Sequence, residues 1–152
     1  MLPDDDLDGD LGKLDVVSMD EIRTPFTGLD GIVERAGVPN LADPAVLKVW
    51  CADGLGDAAD GRFDIKWYQR GYYSFHYTDS KGLNFCWDYH PKARAPDKHF
   101  HPPPNAHSTN PEPSCLSVLD PPVVARVVHK LWRRAYDTGS TERLNSAEGD
   151  TV

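Results

Sequence analysis

Cysteine is scarce in this sequence, with only Cys51, Cys86 and Cys115 among 152 residues. Three is an odd number, and no CxxC pair or other zinc spacing occurs, so neither a disulfide framework nor a common structural zinc module is implied. A reducing, cytoplasmic setting is expected instead, with Cys51 and Cys86 packed as small apolar groups in strands. Long apolar runs are missing as well. No stretch approaches the ~18 residues that a membrane-spanning helix needs, and the N-terminus shows neither the basic nor the apolar region of a signal peptide. No internal repeat is visible, and no motif implies a bound cofactor. Lysine is sparse beside aspartate, and the net charge is -8. That balance favours solubility and is compatible with a high-salt cytoplasm.

Aromatic residues are plentiful and cluster between Trp50 and Tyr89, which locates the expected core. The length suits a single domain, expected over residues 19–138. An acidic arm over residues 1–18, rich in aspartate from Asp4 to Asp10, and a flexible tail over residues 139–152 flank it. A short helix is expected from Leu29 to Ala36, stopped by Gly37. Four strands follow. Val46–Cys51 is a β-branched run, and the stretches Phe63–Tyr68, Tyr73–Tyr77 and Leu83–Asp88 each alternate with period two. Arg70-Gly71 and Asp79-Ser80-Lys81-Gly82 provide hairpin turns. Residues 91–122 contain nine prolines and read as a long irregular connection. A C-terminal helix then starts at Pro121 after Asp120. It carries Val124, Val127, Val128, Leu131 and Ala135 at helical spacing and ends at Gly139. The expected fold is therefore α+β: an antiparallel four-stranded β-meander packed against a C-terminal helix, with a short N-terminal helix.

Charge is uneven along the chain. Residues 86–136 hold seven cations against four carboxylates, a local excess of +3 in a chain of net -8. Within this stretch, Trp87-Asp88-Tyr89-His90-Pro91 leads to Asp97-Lys98-His99-Phe100-His101 and then to Pro102-Pro103-Pro104. Three of the six histidines fall within twelve residues, framed by prolines that restrict the backbone. If Lys98–His101 is extended, His99 and His101 project to the same side. Imidazole ordinarily changes charge between pH 5 and 8, so such a pair suits general acid–base work on a phosphate ester. Asp88 or Asp97 would orient a ring. Lys98 and Arg94 would bind phosphate, with the basic face of the C-terminal helix (Arg126, Lys130, Arg133, Arg134) as a further source of charge. His90 and Tyr89 would contact substrate.

Two other readings stay open on the residues alone. His90, His99 and His101 with Asp88 or Asp97 could ligate zinc or manganese, although no family spacing for a structural metal is present. The histidines could also be purely structural. His76, His107 and His129, isolated in the sequence, read as structural.

The run from Tyr73 to His101, with its aromatic hairpin, Trp-Asp-x-His-Pro and Asp-Lys-His-Phe-His-Pro-Pro-Pro, resembles a group of small proteins from salt-loving archaea. It resembles more distantly the TumE-type toxins of toxin–antitoxin systems. The likeness spans roughly residues 46–136. Asp88, Asp97, His99 and His101 match the toxin pattern, whereas His90, the long proline-rich segment and the acidic arm depart from it. The resemblance implies a cytoplasmic toxin, a ribonuclease acting on RNA without a cofactor, neutralised by a helix-turn-helix antitoxin. The alternative is a non-catalytic binding or adaptor domain that offers a sheet edge or the proline-rich loop to a protein partner.

Overall fold

The computed structural model describes residues 11–29, 31–39, 45–90, 98–106 and 111–148. Among them the chain forms helix α1 (Val16–Leu29), strands β1 (Val33–Gly37), β2 (Leu47–Cys51), β3 (Gly61–Trp67), β4 (Tyr73–Asp79), β5 (Asn84–Tyr89), β6 (Lys98–His101) and β7 (Glu112–Pro113), and helix α2 (Pro121–Thr138). The strands make one antiparallel sheet in sequence order, β1 to β7.

The α+β class and the C-terminal helix match the expectation, but the meander has seven strands among the described residues rather than four. Two differences account for this. The segment expected to be a short helix, Leu29–Ala36, instead contributes β1, which pairs with β2 at the sheet edge. Ile32 and Val33 are β-branched and follow Gly28 and Gly31, so local preference favours an extended chain. The exposed Glu34 and Arg35 then mimic the polar face of a helix in the sequence. The N-terminal helix lies earlier, where Asp15 caps it: its carboxylate accepts from the Ser18 backbone N–H at 3.1 Å and from the Ser18 hydroxyl at 2.7 Å. Met19, Ile22 and Phe26 give α1 its buried face. The second difference is in the proline-rich stretch, which contains β6 and β7. Phe100 anchors β6 to the core, its ring 5.2 Å from that of Trp87.

Both helices cover one face of the sheet. Phe26 of α1 and Trp132 of α2 meet Phe63 of β3 at ring separations of 5.3 and 6.2 Å, and Trp132 also meets Tyr77 of β4. Tyr73, Phe75, Phe85 and Trp87 complete this core face. α2 buries Val124, Val128, Leu131 and Ala135 as the spacing predicted, together with His129 and Trp132. Asp120 precedes it in extended conformation without a side-chain cap bond, and Gly139 closes it at φ 73°.

Past α2, Arg134 donates to the backbone carbonyls of Arg143, Ser146 and Glu148. Leu144 is 1% exposed and belongs to the core cluster. Residues 1–10 of the acidic arm lie outside the described residues.

Candidate active site

Because both helices pack on one face, the other face of the sheet presents the alternate side chains of each strand. The antiparallel register aligns these in rows. One row runs Lys48, Asp64, His76, Cys86, His101 from β2 to β6, and the next runs Lys66, Ser74, Asp88, His99 from β3 to β6. The strand pairing thus sets Asp88 directly beside His99 and one row from His101.

Three imidazoles converge on one carboxylate oxygen. Oδ2 of Asp88 lies 3.0 Å from Nε2 of His101, 3.7 Å from Nε2 of His99 and 3.9 Å from Nε2 of His90. The His99 ring stands edge-on between the other two, with centroids 4.6 Å from His90 and 4.8 Å from His101. The second oxygen of Asp88 accepts from the Cys86 thiol at 2.9 Å, and the Ser74 hydroxyl lies 3.4 Å from that sulfur. Burial by itself would raise the Asp88 pKa. The hydrogen bond from His101, the adjacent His99 imidazole, the hydrogen bond from Cys86 and the charge of His101 outweigh it and hold the carboxyl well below the usual range. Burial, followed by the charge of Asp88 and the hydrogen bond to it, pushes the Cys86 thiol well up, so it stays a protonated donor.

Asp88 and His90 open into a cleft of about 500 Å³ that also has Lys48, Lys66, Tyr68, Ser74, His76 and Tyr89 in its walls. Lys48 is paired with Asp64 at 3.1 Å, and Asp64 also takes Arg62 at 2.9 Å. Lys66 is exposed and forms no ion pair among the described residues, which makes it the uncommitted cation of the cleft. His76 Nε2 lies 3.2 Å from Asn84 Oδ1. The Tyr68 phenol is held neutral, its pKa raised by burial and then by the nearby Asp88 carboxylate.

Of the residues singled out in the sequence, Asp88, His90, His99 and His101 come together, and Tyr89 lines the cleft. His99 and His101 are buried, with side chains 0% and 7% exposed against 18% for His90, so His90 is the imidazole nearest solvent. Lys98 alternates onto the opposite side of β6 from His99, with Nζ 5.2 Å from the Tyr89 ring centre. Arg94 and Asp97 lie outside the described residues. The basic face of α2 belongs to a helix on the core side of the sheet, so it does not supply charge to the cleft.

Lys66 and Ser74 were not picked out from the sequence, and His76 and Cys86 were read there only as structural residues. The period-two alternation carried part of the signal, since each shares the parity of the non-core positions on its own strand. The Asp88, His90 and His99 ligand atoms lie within 4.8 Å of one another, a spacing that could close on a metal ion.

The site sits in a sequence with a recognisable lineage. A family model described as Toxin TumE matches residues 28–137. The chain belongs to the TumE toxin family. It is accordingly a toxin-like protein of a toxin–antitoxin system, and the family implies an antitoxin partner. The TumE match takes in the whole sheet, the four converging residues and nearly all of α2. Neither the curated proteins nor the solved structures yield a significant match. No helix among the described residues is long and apolar enough to cross a membrane.

Proposed function

We propose that this TumE-family toxin is a ribonuclease that cleaves RNA at the Asp88–His90 cleft by histidine acid–base chemistry. The observation that carries the reading is the convergence of three Nε2 atoms on one carboxylate oxygen, in a cleft that also holds an uncommitted lysine two strands away. The burial of His99 and His101 shifts their part from direct proton exchange to holding Asp88, with His99 also packed against His90. His90 is then the imidazole that meets substrate. His76 lines the same cleft, one row from Asp88 on the neighbouring strand and roughly 8 Å from it by the sheet spacing. An in-line displacement needs a base and an acid on opposite sides of the phosphorus, and His90 and His76 are the two imidazoles in the walls of this cleft.

One imidazole takes the proton of the ribose 2′-hydroxyl as that oxygen attacks phosphorus. The bond from phosphorus to the 5′-oxygen breaks, the second imidazole protonates the leaving oxygen, and a 2′,3′-cyclic phosphate remains. Lys66 stabilises the charge that grows on the non-bridging oxygens. The neutral Tyr68 phenol can donate a hydrogen bond to the same group.

The spacing of Asp88, His90 and His99 favours a second reading, in which a divalent ion held by these three activates the attacking oxygen. Cleavage of a labelled single-stranded RNA by wild type and His90→Ala, with and without EDTA, decides between them. Acid–base catalysis predicts cleavage that survives EDTA, peaks near neutral pH and falls about 100-fold or more in His90→Ala. Cleavage abolished by EDTA and restored by zinc or manganese supports the metal reading. Equal cleavage by both proteins removes the cleft from the chemistry.

A further inference from the structure

The polar face of the sheet continues beyond the cleft. Two residues along β2 from Lys48 stands Trp50, and two residues along β3 from Asp64 stands Arg62, in a row that runs on through Thr78 to Asn84. Here a second cleft of about 400 Å³ opens, with Trp50, Arg35 and Arg62 in its walls together with the carboxylates of Glu34, Asp60 and Asp79. The Arg35 guanidinium lies over the Trp50 indole, 4.0 Å from its centre. The two clefts are consecutive stretches of one sheet face, because β2, β3 and β4 contribute neighbouring residues to both.

We infer that this second cleft binds single-stranded RNA at nucleotides remote from the scissile bond, with the strand running diagonally from His90 past Lys66 and Lys48 to Trp50. The inference rests on the ribonuclease reading for the nature of the strand. From Asp88 to Trp50 the path crosses three strand spacings and about four residues of rise, roughly 20 Å, too far for a dinucleotide to span. Unstacked bases need planar faces, which Tyr68 offers at one end and the Arg35 guanidinium layered on Trp50 at the other, whereas a duplex keeps its bases stacked inside. The guanidinium beside the indole supplies stacking and charge together.

The chain carries -8 overall and would repel a polyanion, so its cations must act where they gather. Asp64 already holds Lys48 and Arg62, and Glu34, Asp60 and Asp79 line the second cleft, which leaves Lys66 and Arg35 to meet phosphates against a locally acidic wall. Binding is therefore carried by stacking more than by counterion release. The logarithm of affinity should fall with the logarithm of salt at a slope of only about -1.4, as two phosphate contacts would give on a single strand.

The test uses a fluorescein-labelled 2′-O-methyl RNA decamer, which lacks the nucleophilic hydroxyl and cannot be cut by that route. Anisotropy titrations compare wild type, Trp50→Ala and Trp50→Phe. Trp50→Ala should weaken decamer binding about 5- to 150-fold, the range expected for one lost base stack. Trp50→Phe should recover most of the loss, and a dinucleotide should bind all three proteins alike. Equal decamer affinity of wild type and Trp50→Ala overturns the inference, as does a loss that phenylalanine fails to restore in a folded protein. Failure here leaves RNA cleavage at the first cleft untouched. Conversely, Trp50-dependent binding by a protein that cuts no RNA would retain the binding site and remove the nuclease.

Discussion

Asp88 is the residue through which the cluster is organised. Its carboxylate is 15% exposed and takes hydrogen bonds on both oxygens, from His101 on one and from Cys86 on the other. Asp88→Asn keeps the shape but loses the charge, and should lower stability by about 2 kcal/mol, the scale of a hydrogen bond to a charged group. The carboxyl pKa is depressed in the fold relative to the unfolded chain. Its contribution is therefore present above the unfolded value of about 4 and is lost as pH falls toward the folded one. Urea unfolding in EDTA at pH 7 and pH 3 should show the gap between wild type and Asp88→Asn closing at the lower pH. A gap that stays constant with pH would mean that Asp88 gains no stabilisation from its charge. Asp88, His90, His99 and His101 were legible in the sequence because Asp-x-His and His-x-His place both members of each pair on one side of an extended chain. Lys66 and His76 were not, because only the strand register brings them beside Asp88.

Among the elements, α2 shows how a residue pattern can hide its use. Arg126, Lys130, Arg133 and Arg134 read as one basic stripe, yet Arg133 pairs with Asp137 at 3.0 Å and Arg134 binds three backbone carbonyls of the segment that follows. That clamp keeps Leu144 in the core and Asn145 within 2.8 Å of the Cys115 backbone N–H. Arg134→Ala should cost about 1–3 kcal/mol and expose the peptide bond after Arg143, so trypsin should cut there several-fold faster than in wild type. Unchanged proteolysis would show that the segment is held without Arg134. β1 and β6 escaped the sequence reading for opposite reasons. β1 lies at an edge, where the exposed Glu34 and Arg35 break the alternation, and β6 is a four-residue strand inside proline-rich chain.

For the whole molecule, the sheet separates folding from chemistry. Its core face is closed by α1 and α2 through Phe26, Phe63, Tyr77 and Trp132, and its polar face carries both clefts. The α+β class, the central hairpins and α2 could be read from periodicity because each is a local pattern repeated over several residues. The cleft could not, since it is assembled from four strands distant in sequence.

If this face cuts RNA with the ribose hydroxyl as nucleophile, a DNA oligonucleotide carrying a single ribonucleotide, incubated with the purified toxin in EDTA, should be cut once. The cut should fall immediately 3′ of the ribose and leave a 2′,3′-cyclic phosphate that mass spectrometry identifies. No cut at the ribose, or equal cutting of the all-deoxy strand, would contradict that chemistry.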